Sequence, residues 1–241
     1  MRLHILELDE VEPEAEARGQ RFRDLFVAWL KPALPEARFT SSLIVAGEPL
    51  PAPGDHDAFI LTGSRHGVYE DLPWMRDVIA FLRAAAAVGA PVAGICFGHQ
   101  IMAAAHGGEV RKYPGGWNIG RMGHRVAPSA RPLFGGRDSL HVLSFHQDQV
   151  MRPPQGAEVL LGSERSPCGG LRYRDFPQMS VQFHPEFRPE TVRLILRDGA
   201  DPDIPAQAQR AALASLEEGP LDNDVVAAAF ARFFREALRR K

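Results

Sequence analysis

The sequence predicts an α/β fold in which a central, mostly parallel β-sheet is covered by helices on both faces. In the first half of the chain, short apolar runs bounded by turn residues alternate with stretches of helical periodicity, which is typical of a parallel sheet. Between residues 123 and 183, strand-like runs are joined by turn-rich links, so this part of the sheet is expected to be antiparallel or mixed.

The elements expected in the first half alternate in type. Strands are expected at residues 3–8, 39–45, 57–61 and 91–95, and helices at about 18–30, 74–88 and 98–106. The second half is expected to contain strands at 125–127, 140–145, 158–163, 170–173 and 179–183. Helices are then expected at about 189–197, 206–216 and 223–238.

A length of 241 residues favours a single domain with a short appendage. We expect residues 1–200 to form this domain and residues 201–241 to form a C-terminal helical extension packed on it. The last predicted helix carries apolar residues at helical spacing. This apolar face either packs on the domain or forms a dimer surface, so the sequence is compatible with a homo-oligomer.

The composition and charge exclude several classes of function. With 28 basic and 30 acidic residues the net charge is -2, which argues against a nucleic-acid partner bound through a broad basic field. No apolar run approaches the roughly 20 residues that span a bilayer, so no membrane partner is expected. The N-terminus turns acidic where a signal peptide would stay apolar, which predicts a cytoplasmic protein with free thiols at Cys96 and Cys168.

Cys96 has the sequence context of a nucleophile. It lies between Gly94 and Gly98, directly after an apolar strand and directly before a helix. The two glycines allow a sharp strand-to-helix turn that presents the side chain at the end of the sheet. The helix N-terminus favours the thiolate form of a cysteine. A small buried apolar role is the alternative for a free cysteine, but the flanking glycines argue against it here.

A partner for such a thiol is available at the end of the last predicted strand. His184 and Glu186 are separated by a proline, and alternate residues of an extended segment point the same way. Glu186 can therefore accept a hydrogen bond from one imidazole nitrogen while the other nitrogen faces a thiol. By itself the His-x-Glu pattern is weak evidence, because a solvated strand end also produces it.

Three segments of the chain resemble the class I glutamine amidotransferases. They read LTGSRHGVYED at residues 61–71, GICFGHQ at 94–100 and QFHPEF at 182–187. The likeness is greatest to stand-alone members similar to the glutaminase domain of GMP synthase, and γ-glutamyl peptidases with the same triad are also similar. The resemblance implies a flavodoxin-like sandwich with a mixed, mostly parallel sheet, and a catalytic triad of Cys96, His184 and Glu186.

The activity implied by the resemblance is hydrolysis of the glutamine side-chain amide to glutamate and ammonia through a γ-glutamyl thioester. The small-molecule substrate stays open between glutamine and a γ-glutamyl peptide, because the motifs recognise only the γ-glutamyl half. A non-catalytic regulatory or binding module is a third alternative, against which the intact triad argues. Because a chain of this length leaves little room for a synthase domain, any ammonia acceptor is expected to be a separate synthase partner.

The oxyanion hole is expected to use two backbone N–H groups. One belongs to Phe97, the residue after the nucleophile. The resemblance assigns the other to Ser64, in the turn that follows an earlier strand. Ser64 and Arg65 stand where Gly and Pro are frequent in the family. This departure leaves open whether the turn holds its N–H toward Cys96 at all times.

The resemblance also assigns substrate contacts, to Gln100 on the elbow helix and to His146, Gln147 and Asp148 in a later loop. No metal is expected, because the His-x-Glu pattern lacks the Pro-Cys-x-x-Cys segment that a zinc deaminase requires. No cofactor is expected either, since the chain contains no glycine-rich phosphate loop. Cys168 lies in a Pro-Cys-Gly-Gly turn and is expected to be exposed and without a role.

Overall fold

The computed structural model describes residues 1–10, 21–198 and 202–240. The strands are β1 (Arg2–Glu7), β2 (Arg38–Leu43), β3 (Ala58–Leu61), β4 (Val92–Ile95), β5 (Glu109–Lys112), β6 (Asn118–Val126), β7 (Ser139–His146), β8 (Asp148–Arg152), β9 (Ala157–Gly162), β10 (Gly170–Tyr173) and β11 (Gln178–Val181). The helices are α1 (Phe22–Leu30), α2 (Pro73–Ala87), α3 (Phe97–Ala105), α4 (Pro189–Asp198), α5 (Ala206–Ser215) and α6 (Asn223–Arg239).

The main sheet has nine strands in the order β2-β1-β3-β4-β11-β10-β9-β6-β7. The strands from β2 to β11 in this order run parallel to one another. The strands from β11 to β7 pair antiparallel. The predicted α/β fold with a mixed sheet is therefore confirmed. This order also makes β4 and β11 parallel neighbours, so their carboxyl ends lie side by side.

Helices cover both faces of the sheet because successive side chains of each strand point to opposite sides. Ile5 of β1 belongs to a buried cluster with α1 and α6, whereas the next residue, Leu6, belongs to a buried cluster with α2 and α3. The aromatic rings of Phe26 and Phe230 are buried in the first cluster and that of Phe97 in the second. The sheet is thus the middle layer of a sandwich with three layers.

The structure corrects several predicted boundaries. The strand expected at 125–127 is only the end of β6, which begins at Asn118. Gly120 lies inside this strand at φ +92°, where a Cβ would clash with Ser215 Oγ of α5. Glycine is needed there for close approach of a helix. Of the helix expected at about 18–30, residues 18–20 lie outside the described residues, and α1 begins at Phe22.

Two strands were absent from the sequence prediction. β5 and β8 form a separate antiparallel pair. Three of the four residues of β5 are charged, so no alternation of apolar and polar residues marks it as a strand. Of the helices in the described part of the chain, none combines the length and the apolar composition that crossing a bilayer requires.

Candidate active site

A strained turn carries Cys96 at the end of β4. The residue joins β4 to the first turn of α3 with φ 52° and ψ -105°, a backbone conformation that residues other than glycine seldom adopt. Gly98 allows this tight turn to pack on β3, since a Cβ there would lie 2.7 Å from the carbonyl oxygen of Leu61. Strained residues concentrate at functional sites, where the surrounding packing maintains them. The structure thus has a sharp strand-to-helix turn at Cys96, between β4 and α3.

The neighbouring strand β11 brings a second segment past Cys96. Ile95 is in register with Val181, and the Cys96 N–H donates to the carbonyl oxygen of Val181 at 2.9 Å. Beyond Val181 the chain leaves the strand, and the His184 N–H donates to Leu143 O at 2.8 Å. The imidazole is thus positioned by β11 on one side and by β7 on the other.

The three side chains predicted as a triad lie next to one another. His184 Nδ1 lies 2.7 Å from Glu186 Oε1, and the same imidazole interacts electrostatically with Cys96. All three residues are buried. The ring of Phe187 stacks on the imidazole with centroids 4.1 Å apart and planes 10° apart, which restricts rotation of the imidazole.

Opposing effects set the charge of His184. Burial by itself lowers its pKa, but the negative charges of Cys96 and Glu186 and the hydrogen bonds to both outweigh burial and raise the pKa well above its ordinary value. Both neighbours therefore favour the imidazolium form of His184. That form can donate a proton to a departing group and then take one from water.

The turn after β3 borders the thiol. A Cβ on Gly63 would lie 3.0 Å from His184 Cε1 and 3.7 Å from Cys96 Cβ. The carbonyl oxygen of Thr62 accepts the Gly98 N–H at 3.0 Å, which ties this turn to the start of α3. The backbone of Ser64 and the N-terminal amide of α3 at Phe97 therefore lie on elements that meet at Cys96.

Gln100 is buried and its amide is already bonded within the protein. Its Nε2 donates to the backbone oxygen of Asp148 at 2.7 Å and to Gln182 Oε1 at 3.3 Å. The Nε2 of Gln182 in turn lies 3.8 Å from Cys96 Sγ. Gln182 was not predicted as a site residue. Its position in the extended segment, two residues before His184 and four before Glu186, is the signal that indicates a shared face.

The loop expected to contact substrate lies next to these groups. The buried His146 places its Nδ1 3.1 Å from the backbone oxygen of Asp148, and burial together with the charge of His184 lowers its pKa to about 3. Gln147 bonds to the backbone of Tyr113. Asp148 is half-buried, and burial raises the pKa of its carboxyl group while the neighbouring Tyr69 hydroxyl lowers it.

Cys168 differs from its prediction. It is buried rather than exposed, and burial raises the pKa of its thiol. The reason is tertiary, because the glycine-rich turn that contains it packs beneath Leu161 and His124. Among the residues that the structure describes, no group of three or more His, Cys, Asp or Glu side chains is arranged to hold a metal ion.

Comparison with known proteins identifies the family. The sequence model of "Glutamine amidotransferase class-I" matches residues 40–199. The chain belongs to the class I glutamine amidotransferase family. A crystal structure of a glutamine amidotransferase from Methylobacillus flagellatus superimposes with a TM-score of 0.73 at 24% identity, over 98% of this chain and 94% of that one. This likeness shows the fold.

Curated relatives of the chain carry different names. A putative glutamine amidotransferase-like protein of Schizosaccharomyces pombe is 29% identical over 75% of this chain and 73% of its own length. A subunit of the glutamine-hydrolysing GMP synthase of Sulfurisphaera tokodaii is 30% identical over 61% of this chain and 76% of its own length. Gamma-glutamyl peptidase 2 of Arabidopsis thaliana is 26% identical over 58% of each chain. The relatives thus include enzymes named for two kinds of γ-glutamyl substrate.

Proposed function

We propose that this protein hydrolyses the side-chain amide of glutamine through a γ-glutamyl thioester on Cys96. The observation that carries the proposal is the pairing of His184 with Glu186, whose Oε1 lies 2.7 Å from His184 Nδ1, beside the thiol of Cys96. A nucleophile, a base and a group that orients the base are the parts that covalent hydrolysis of an amide requires. Membership of the class I glutamine amidotransferase family supports the same chemistry.

The reaction proceeds in two halves. Cys96 Sγ attacks the amide carbon as a thiolate whose proton is held on His184 Nε2, and the tetrahedral intermediate collapses as the carbon–nitrogen bond breaks and His184 gives this proton to the departing nitrogen. Ammonia leaves and the γ-glutamyl group remains on sulfur as a thioester. His184 then takes a proton from water, the resulting hydroxide attacks the thioester, and the carbon–sulfur bond breaks. Glutamate leaves, its carboxyl proton passes to solvent, and the thiolate and the protonated imidazole are restored. Glu186 keeps Nδ1 protonated throughout, so that Nε2 is the nitrogen that exchanges protons.

Stabilisation of the oxyanion in both halves is assigned to the backbone N–H groups of Phe97 and Ser64. The first lies at the N-terminus of α3, where the helix dipole favours negative charge. In comparable enzymes the loss of one oxyanion donor costs about 2.7–4 kcal/mol of transition-state stabilisation. Gln100, His146, Gln147 and Asp148 are proposed to surround the amino-acid end of the substrate, with Gln100 anchored to the Asp148 backbone.

A γ-glutamyl peptide is the second candidate substrate. The similarity to gamma-glutamyl peptidase 2 supports it. The chemistry of the γ-glutamyl half is the same, and only the leaving group changes from ammonia to the amine of an amino acid or peptide. For hydrolysis of glutamine we propose a separate synthase that accepts the ammonia, on the strength of the similarity to the GMP synthase subunit.

The test compares the wild type with Cys96→Ala, using Cys168→Ala as the matched control because it removes the other thiol of the chain. Each protein is incubated with glutamine and with γ-glutamyl dipeptides while glutamate, ammonia and released amine are measured. We expect turnover by the wild type and Cys168→Ala and none by Cys96→Ala. Ammonia from glutamine alone supports the amidotransferase chemistry, whereas amine release from dipeptides alone supports the peptidase. Turnover of neither substrate, with no labelling of Cys96 by an electrophilic glutamine analogue, contradicts both.

A further inference from the structure

The peptide bond between Gly63 and Ser64 provides the N–H assigned as the second oxyanion donor, so any catalytic role of this bond rests on the proposed function. Such a peptide in a turn has two opposite orientations, and only one of them turns the Ser64 N–H toward the thiol. The orientation is decided by whatever holds the Gly63 carbonyl, because the C=O and N–H of a trans peptide point in opposite directions. No cis peptide occurs among the described residues.

Thr62 holds that carbonyl. Its hydroxyl is buried, accepts the Leu8 N–H at 2.9 Å and donates to the Gly63 carbonyl oxygen at 3.0 Å. A threonine hydroxyl has one proton to donate and two lone pairs to accept with. Because Leu8 supplies a donor to the oxygen, the proton of the hydroxyl is directed to Gly63. The result is a relay from the residue after β1 through Thr62 to the Gly63–Ser64 peptide.

The order of the strands gives the direction of the N–H. β3 lies between β1 and β4 in the sheet. Leu8 follows β1, so the Thr62 hydroxyl and the Gly63 carbonyl face the β1 side. The Ser64 N–H on the other edge of the same peptide then faces the β4 side, where Cys96 lies. A Cβ added to Gly63 would lie 3.0 Å from His184 Cε1 and 3.7 Å from Cys96 Cβ, so this peptide lies next to the thiol.

A second clamp fixes the following peptide. The Asp9 carboxylate accepts the Arg65 N–H at 3.1 Å and the Arg65 Nε at 2.9 Å. Asp9 is itself buried. A flip of the Gly63–Ser64 peptide between these two clamps would break the bond from Thr62 and leave a buried hydroxyl proton without an acceptor, which proteins rarely tolerate.

We propose that Thr62 is a positioning residue that presets the Ser64 N–H as an oxyanion donor, so that hydrolysis proceeds without a partner protein to reorient the turn. Thr62 does not touch substrate. It acts through the carbonyl of Gly63. Ser64 stands where glycine is frequent in the family, and the oxyanion donor is kept because it is a backbone N–H.

The test compares Thr62→Val, which keeps the shape and loses the hydroxyl, with Thr62→Ser, which keeps the hydroxyl. We expect Thr62→Val to lower kcat about tenfold to a hundredfold while KM changes by less than about threefold, since the misaligned donor acts mainly in the transition state. Thr62→Ser should stay within about threefold of the wild type. Binding of glutamate γ-semialdehyde, whose thiohemiacetal oxygen occupies the oxyanion hole, should weaken in Thr62→Val in proportion to kcat/KM. Alkylation of Cys96 by iodoacetamide should not change, because it forms no oxyanion.

Several results would overturn the inference. The first is an unchanged kcat in Thr62→Val, and the second is a rate of Cys96 alkylation that falls in this variant as much as its aldehyde affinity. The third is a loss of kcat in Thr62→Ser equal to that in Thr62→Val. The fourth is a wild type that hydrolyses γ-glutamyl amides only when a partner protein is added. In each of these cases the proposed function survives. A wild type that is inert with and without partners removes the proposed function and this inference together, so the two failures are distinguishable.

Discussion

Glu186 controls the charge of the neighbouring His184. It is one of two anionic partners that raise the pKa of the buried His184 against the effect of desolvation. A buried imidazolium is stable only while its negative partners remain. The proton that the proposed reaction moves is therefore available because the carboxylate lies 2.7 Å away.

We predict that Glu186→Gln lowers the pKa of His184 and reduces kcat. The amide keeps the size of the side chain but removes the negative charge, so the imidazolium loses its proton at lower pH. The alkaline limb of the pH dependence of kcat/KM should move toward neutral pH. Glu190→Gln serves as the control, because Glu190 is on the exposed side of α4. An alkaline limb at the same pH in Glu186→Gln and the wild type would contradict the prediction.

The sharp turn between β4 and α3 determines which segments lie next to Cys96. The turn packs so closely on β3 that a Cβ on Gly98 would lie 2.7 Å from Leu61 O and 2.8 Å from Leu61 Cβ. Neither atom has room to move, because Leu61 is fully buried at the end of β3. The close packing is what brings the turn after β3 to the thiol.

We predict that Gly98→Ala destabilises the protein by about 1–3 kcal/mol, the usual cost of overpacking a core. Gly54→Ala is the matched control, since a Cβ there meets nothing within 4 Å. The control should leave stability unchanged or raise it by about 0.4–1 kcal/mol. Urea unfolding measures both variants, and equal midpoints for the two would refute the prediction.

Helix α6 contributes to the core of the fold. Phe230 is fully buried and its ring lies 5.3 Å, centroid to centroid, from that of Trp29 on α1. The indole N–H of Trp29 donates to the backbone oxygen of Asn223 at 3.0 Å. Helix α6 therefore shares one hydrophobic cluster with the first helix. The division into a domain of residues 1–200 and an extension of 201–241 stays a prediction, as does a homo-oligomer.

We predict that Phe230→Ala lowers the free energy of unfolding by about 3–5 kcal/mol, through lost burial and the cavity left behind. Leu213→Ala on α5 is the control, because that side chain is 40% exposed. Its effect should lie within about 0.5 kcal/mol, as for surface substitutions in general. Thermal and urea unfolding of the two variants give the comparison, and equal stability of Phe230→Ala and the wild type would contradict the prediction.

Several histidine side chains outside the candidate triad are buried in the protein. Burial lowers the pKa of His99 and of His146 to about 3, and that of His4 and of His124 to about 4. In the unfolded chain these rings gain a proton near about 6.5. Between these values the unfolded state binds more protons than the folded state, so stability is complete above the unfolded pKa and is lost as the pH falls.

We predict that the free energy of unfolding, and with it the urea midpoint, falls as the pH is lowered from about 7 to about 5. The free energy should fall by as much as about 1.4 kcal/mol per pH unit for each ring that must be charged. His184 has the opposite sign. Its pKa is raised, so its contribution is present at low pH and is lost as the pH rises toward the folded value. Urea unfolding at a series of pH values measures both, and a midpoint that is constant down to about pH 5 would contradict the acid-side prediction.

The fold class and the sharp turn at Cys96 could be predicted from the sequence alone. Alternating apolar runs and helical periods reflect burial on one or two faces, and Gly94 and Gly98 indicate a tight turn. Both features can therefore be predicted from short segments of the sequence. The likeness of three segments to the class I glutamine amidotransferases selected Cys96, His184 and Glu186 from among many polar residues. Their roles stay a prediction, although the structure brings them together.

The distant residues that contact this turn could be identified only from the three-dimensional structure. The bonds from Thr62 to Leu8, from Gln182 to Cys96 and from Gln100 to Asp148 join segments far apart in the chain. The sequence also did not predict the burial of Cys168, the length of β6 or the pairing of β5 with β8. These features depend on strand order and register, which no local period encodes, because periodicity reports how a segment is buried and not what it is buried against.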